Sequence, residues 1–129
     1  MYKLESYTLR EVLLKRTTEY KDKPSLGMVG NRPYSFREIG SLAAGLQRFL
    51  ASQANIGKGS RVALLGENSP GWGIAYFAVT AMGAVVVPIL TEFTADQIRN
   101  ILAHAECDAV FASRKLKEKL RGIQGLPVF

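Results

Sequence analysis

Cysteine, histidine and tryptophan each occur once in the 129-residue chain, as Cys107, His104 and Trp72. A single thiol excludes an internal disulfide framework, and a single imidazole excludes a histidine pair for metal binding or proton relay. No apolar segment follows a basic start in residues 1–20, where charged side chains alternate with single leucines. That pattern excludes a secretory leader and points to a cytoplasmic setting. A phosphate cradle is also missing. The nearest candidate, "IGKGS" at residues 56–60, has Gly59 rather than Ser or Thr after Lys58, and Ser52 where the first glycine of such a loop belongs. It also leads into a strand, whereas phosphate loops lead into a helix N-terminus, so it reads as a turn. A phospho-receiver domain would need an acidic pair after its first strand, and "LLGENS" supplies one acid.

Charge is absent from residues 68–90, between Glu67 and Glu92. An apolar run of about 20 residues can bridge the ~30 Å hydrocarbon core of a bilayer, so this stretch raises the question of a membrane span. Its punctuation answers against one. Ser69 and Pro70 form a helix-start signature, Gly83 is placed to stop the helix in a left-handed cap, and the β-branched run "AVVVPI" follows. A helix of roughly 13 residues is only about 20 Å long at ~1.5 Å per residue, too short to cross. The stretch is a helix followed by a strand.

What is present is the makeup of one globular domain: 47% hydrophobic and 22% charged residues, long enough to bury roughly two-thirds of the unfolded surface. The formal net charge of +6 and pI near 9.7 owe much to "SRKLKEKLRG", where Lys115, Lys117, Lys119 and Arg121 surround Leu116 and Leu120. With no aromatic interleaved for base stacking, this run reads as a surface helix docked by its leucines, and no nucleic acid is expected as partner.

Three capping boxes divide the chain. Thr8 with Glu11 predicts a helix to about Tyr20, Ser35 with Glu38 a longer helix carrying Phe36, Ile39, Leu42, Ala43, Leu46 and Leu50, and Thr94 with Gln97 a helix carrying Ile98, Ile101, Leu102 and Ala105. Between the first two, "SLGMVGNRPYSF" predicts a small hairpin turning at Asn31 and Arg32. "RVALL", the helix "PGWGIAYFAVTAM" and "AVVVP" make a βαβ unit, extended by the strand "DAVFA", the basic helix and a last strand beginning at "LPVF". The expected fold is α/β: a mostly parallel, doubly wound sheet with a small N-terminal helix and hairpin, incomplete at the C-terminus. The chain stops at Phe129 as that strand begins, which reads as a truncated domain.

Candidate chemistry is sparse. Glu67 and Asn68 stand at the carboxyl end of a parallel strand, where open α/β sheets bind ligands, and position alone recommends them. His104 lies off the apolar stripe of its helix, Cys107 has no activating base beside it, and Trp72 on an almost wholly apolar helix is expected to pack against the sheet.

The order of segments adds more. "YSFREIGSLAAGLQRFLASQANIGKGSRVALLGENSPGWGIAYFAVTAMGAVVVPI", then "TADQIRNILAHAECDAVFAS", resembles the N-terminal part of the AMP-forming adenylating enzymes, the superfamily of acyl-CoA synthetases, luciferases and peptide-synthetase adenylation domains. The likeness covers nearly the whole chain and is clearest over residues 34–113. "VVPILTEFTADQIRNILAHAECDAVFAS" looks most like bacterial long-chain fatty acid CoA ligases. Gly71 departs from the pattern, since the family often has an acid there.

The resemblance implies that residues 1–129 are the first part of a large adenylating domain, ending before its phosphate-binding loop. The complete enzyme would activate a fatty acid with ATP and Mg²⁺ to an acyl-adenylate, then form the CoA thioester. This segment would be scaffold, catalytically incompetent, and would bind none of ATP, CoA or Mg²⁺. The family's catalytic, substrate-binding, cofactor-binding and metal-binding residues lie beyond Phe129, so none is assigned here. Its main partner would be the remainder of its own polypeptide; homodimerisation and peripheral contact with a membrane surface are both compatible with the resemblance. Two alternatives stay open: a non-catalytic α/β binding or interaction module, and an adenylate-forming ligase for another carboxylate. If the charge-free stretch is helix plus strand, the purified protein will stay monodisperse without detergent and will not partition into liposomes as an integral protein; liposome flotation checks this.

Overall fold

A computed structural model describes residues 5–129. The chain runs through α1 (Leu9–Glu19), β1 (Pro24–Leu26), β2 (Tyr34–Ser35), α2 (Phe36–Gln53), β3 (Arg61–Leu65), α3 (Pro70–Ala81), β4 (Val85–Ile89), α4 (Ala95–His104), β5 (Ala109–Ala112) and a single 3₁₀ turn, Lys117–Leu120. No helix among the described residues is long and apolar enough to cross a membrane. The charge-free stretch is α3 and β4, as its punctuation predicts.

Local chemistry sets the helix starts. At α2 the Ser35 hydroxyl accepts from the Glu38 N–H at 3.2 Å while the Glu38 carboxylate accepts from the Ser35 N–H at 2.7 Å, a complete capping box. Thr94 and Gln97 do the same at α4, at 3.3 Å and 2.9 Å. At α1 only half of the expected box forms. Thr8 Oγ1 accepts from the Glu11 N–H at 3.2 Å, but the Glu11 carboxylate turns back to the N–H groups of Glu5 and Ser6 and the Ser6 hydroxyl. Ser69 caps α3, with Pro70 in its first turn. The far end of α3 is a Schellman motif: Ala84 N–H reaches Val79 O at 3.2 Å and Gly83 N–H reaches Thr80 O at 3.1 Å, with Gly83 at φ +81°, where a Cβ would be strained.

The main sheet is parallel, in the order β4-β3-β5, with Val62 of β3 opposite Val86 on one side and Ala109 on the other. Residues 127–129 continue it beyond β5: Val110 N–H donates to Pro127 O, and Phe129 N–H to Val110 O, each at 2.9 Å. Helices cover both faces. Ala63, Leu65, Ile89 and Val110 pack against Ile98 and Leu102 of α4 and Leu120 of the 3₁₀ turn. Val62 and Ala109 on the opposite face pack against Leu50 of α2 and Val79 of α3. A third cluster, Leu13, Ile39, Ala43, Ala78 and Ala81, joins α1 to α2 and α3 as an outer layer. The mixed α/β, doubly wound reading therefore holds, and the unbroken apolar run in β3 follows from its burial on both faces.

Four local expectations fail. The hairpin does not turn at Asn31 and Arg32. Asn31 N–H closes on Met28 O at 3.0 Å, and Gly30 takes the positive φ of +84°, so Val29 and Gly30 are the central turn residues. Leu42 belongs to the apolar periodicity of α2 yet is exposed, because the buried stripe is the narrower Ile39, Ala43, Leu50 line. The basic run makes only the 3₁₀ turn in place of a surface helix, since Leu120 must reach the α4 cluster within a few residues of β5. Trp72 is half-buried at the carboxyl edge of the sheet rather than against its face, stacked on Tyr76 at 5.3 Å between ring centroids.

Two predictions follow from this packing. Leu50→Ala removes a fully buried side chain and should cost roughly 2–5 kcal/mol, whereas Trp72→Ala, which leaves an already open edge, should cost about 1–2 kcal/mol; denaturant midpoints compare them. The capping box also predicts a pH effect. The Arg32 guanidinium first, then the Ser35 N–H and hydroxyl, hold the Glu38 carboxyl down from 4.5 to about 2. Its contribution is therefore complete above the unfolded value and lost as pH falls from about 4.5 to about 2. Glu38→Gln should flatten that part of the stability-versus-pH curve, measured by thermal unfolding.

Candidate functional site at the carboxyl edge of the sheet

Strands β3 and β5 are neighbours, but the chain leaves them toward opposite faces: β3 feeds α3 on the α2 side, and β5 feeds the 3₁₀ turn on the α4 side. Loops that diverge from adjacent parallel strands open a crevice at their carboxyl ends, the usual ligand position in such sheets. Here the crevice is a cavity of about 240 Å³ whose walls include Gly66 and Glu67 from the end of β3, Trp72 and Ala75 from α3, and Phe111 and Ser113 around the end of β5. A second recess of about 330 Å³ shares Glu67 and Trp72 and is closed on its far side by residues 88–92. Trp72 thus stands between two recesses.

Backbone order fixes these groups. Ser113 N–H donates to Leu65 O at 2.9 Å, extending the β3/β5 ladder one step and placing the Ser113 side chain beside Gly66. A Cβ on Gly66 would lie 3.5 Å from Trp72 Cδ1 and 3.7 Å from Ser113 Cβ, in ordinary contact with both walls. The Ser69 hydroxyl accepts from Trp72 N–H at 3.2 Å and sets the first turn of α3 against the crevice.

Electrostatically the first recess is one exposed carboxylate, Glu67, over an apolar floor, and the second adds the Glu92 carboxylate. The Ser113 hydroxyl, the backbone N–H of Glu67 itself and the Lys115 ammonium all hold the Glu67 carboxyl below its ordinary range, while partial desolvation opposes them. Ser113 Oγ is sealed from solvent without a hydrogen bond of ordinary geometry, so its influence on Glu67 is that of a nearby dipole. Lys115 lies 4.0 Å from Glu67, both side chains well exposed, a separation at which solvent removes most of the attraction.

Of the residues that the sequence singles out, Glu67 and Trp72 meet here, and Asn68 lines the second recess. The others lie elsewhere. Lys58 belongs to the turn before β3, at the opposite edge, where Gly59 N–H donates to Gly83 O at 2.9 Å and Gly57 N–H to Ser60 Oγ at 3.0 Å. Those amides are engaged, so the turn is no phosphate cradle. His104 is exposed at the end of α4. Cys107, half-buried just before β5, has its thiol pushed up first by burial and then by Asp108, which disfavours the thiolate that a nucleophile needs. Ser113 is the residue that sequence reasoning missed; its signal was its place after a strand, the same argument that picked out Glu67.

The largest cavity among those described, about 530 Å³, is a groove between α1 and α2 on the outer layer. Three of its polar groups are committed: Arg37 pairs with Asp22 at 2.6 Å, Gln47 Nε2 donates to Ala78 O at 3.1 Å, and Thr17 Oγ1 donates to Leu14 O at 3.0 Å. Among the described residues no group of three His, Cys, Asp or Glu side chains could hold a metal ion. The two recesses of the carboxyl edge carry the acids Glu67 and Glu92 and the hydroxyls of Ser69, Thr91 and Ser113, and no imidazole lines either of them.

Comparison with known proteins agrees with this architecture. The chain is 37% identical over 67 residues to long chain acyl-CoA synthetase 3 of Arabidopsis thaliana, covering 51% of this chain and 10% of that protein. It is 32% identical over 111 residues to "Probable acyl-activating enzyme 12, peroxisomal" of the same plant, covering 85% of this chain and 19% of that protein. It spans less than a fifth of either relative. The solved structure of Mycobacterium tuberculosis fatty acyl CoA synthetase superposes with a TM-score of 0.80 at 24% identity, over 93% of this chain and 24% of that one, and so shares its fold. The family model described as AMP-binding enzyme matches residues 13–128, nearly the whole length of the chain, which therefore belongs to the AMP-binding enzyme family.

Proposed function

We propose that this chain is the N-terminal part of the large adenylating domain of a fatty acyl-CoA ligase, standing ahead of that domain's phosphate-binding loop, and that it serves as scaffold for one wall of the active site. The observation that carries the reading is the combination of a family match over residues 13–128 with a carboxyl edge that lacks a reacting constellation. The likeness to a long chain acyl-CoA synthetase supports a fatty acid as the carboxylate.

In the complete enzyme the reaction would be fatty acid plus ATP giving acyl-adenylate and pyrophosphate, followed by thioester formation with CoA. Such a transfer draws nearly all its acceleration from alignment and from positive charge around the phosphates. The residues present here do not fit ATP or Mg²⁺. The turn at residues 57–60 already donates its Gly57, Gly59 and Ser60 N–H groups within the protein, at the amino edge of the sheet, and no group of three His, Cys, Asp or Glu side chains fit for a metal exists among the described residues. No step of the reaction is therefore routed through this chain. What it supplies is a rigid sheet edge, with Glu67, Trp72 and Ser113 facing whatever the rest of the polypeptide places there. On this reading the protein is cytoplasmic, with its own continuing polypeptide as principal partner; peripheral membrane contact and homodimerisation belong to the complete enzyme.

Pyrophosphate release decides between scaffold and self-sufficient catalyst. The 129-residue chain, given ATP, Mg²⁺ and fatty acids of several lengths, should release none above background. The same chain joined to the remainder of a family member's adenylating and C-terminal domains should restore turnover. Turnover by the chain alone would overturn the proposal, and failure of the chimera with every fatty acid, but success with another carboxylate, would change the substrate.

A further inference from the structure

Of the basic run after β5, Lys119 behaves unlike its neighbours. Lys115, Lys117 and Arg121 are exposed, and Arg121 pairs with Glu118 at 2.6 Å across one turn. Lys119 is half-buried, and its ammonium donates to two backbone carbonyls, Thr91 O at 2.6 Å and Phe93 O at 2.8 Å. Both acceptors belong to the segment that joins β4 to α4, and their own element supplies neither carbonyl with a ladder partner. The next residue, Leu120, is buried in the cluster with Ile98 and Leu102, so the core fixes the base from which Lys119 reaches. Within the segment, the turn bond from Phe93 N–H to Leu90 O is long, at 3.3 Å, and Phe93 packs its ring against the α4 cluster. Residues 88–92 form the far wall of the recess shared by Glu67 and Trp72.

We infer that Lys119 is a latch: a positioning residue whose ammonium fastens the β4–α4 segment to the 3₁₀ turn and thereby sets the width of the recess beside Trp72. The physical argument is one of donor and acceptor count. Two carbonyls in a loop need donors, and a single lysine on a buried anchor supplies both with charge-assisted hydrogen bonds, the strong kind. A neutral side chain of the same length would leave both carbonyls to water and free the wall. The latch links the two loops on either side of the α4 face, so any group entering the recess would meet a wall held from outside it.

Hydrogen exchange and Trp72 fluorescence test this together, because Trp72 is the sole tryptophan and borders the recess. In Lys119→Met the Phe93 amide should exchange faster by roughly tenfold or more, the scale set by losing hydrogen bonds from a charged donor. Trp72 emission should shift to the red. Lys119→Arg, which keeps charge and donors, should restore both readouts toward the parent, and Lys117→Met should match the parent. Lys119→Gln provides the same neutral substitution should the methionine variant fail to fold. Phe93 exchange equal to the parent in the neutral variants would overturn the latch. So would acceleration shared equally by core amides such as Val62 and Val110, complete unfolding of both neutral variants included, since that is the signature of a plain stability role.

Discussion

Everything in this molecule hangs on strand β3 being covered on both faces. Val62, Ala63, Leu64 and Leu65 are each at most 1% exposed, with Ala63 and Leu65 in the α4 cluster and Val62 in the α2/α3 cluster on the other face. A central parallel strand can be buried that way only if helices cross on both sides, which forces the chain after β3 and after β5 to leave in opposite directions. The crevice at the carboxyl edge is the geometrical consequence. It was not built by the residues that line it; it is the gap left where the chain leaves two adjacent parallel strands toward opposite faces.

That origin explains the character of the site. A crevice made by topology offers position and shape, while reactivity must be added by particular side chains. Here the additions are modest: the Glu67 and Glu92 carboxylates on the rims, the sealed Ser113 hydroxyl and one indole between two recesses. If the chain acts as the proposed frame, its rigidity is what matters. The Ser113 ladder bond, the Ser69 cap and Lys119 each fix one wall of the edge from a different element.

The basic run shows how composition misleads when read without topology. Its five cations give the chain much of its positive charge, which invites a surface reading, and four of them are indeed exposed. The fifth, Lys119, turns to backbone carbonyls because Leu120 beside it is committed to the core. Burial of one leucine decided the fate of the adjacent lysine.

The sequence by itself determined those features whose cause lies within a few residues. The complete boxes at Ser35 and Thr94, the Ser69 and Pro70 entry, the Gly83 stop and the unbroken apolar strand at residues 62–65 each satisfy or bury groups that are neighbours along the chain. That was enough for the α/β class, the doubly wound sheet and the rejection of a membrane-spanning helix. The turn of Glu11 to the N–H groups of Glu5 and Ser6 and the hairpin turn at Val29 and Gly30 are also local, but motif spacing does not reveal them. Tertiary structure decided the rest, and Leu42 fell outside the buried stripe. Trp72 came to rest on an edge, and Ser113 and Lys119 acquired their roles from partners tens of residues away: Leu65 and Gly66 for one, Thr91 and Phe93 for the other. Periodicity reports which face of an element is apolar, but which edge of the sheet a side chain meets depends on how the crossovers pack, and that is settled only when the whole sheet is assembled.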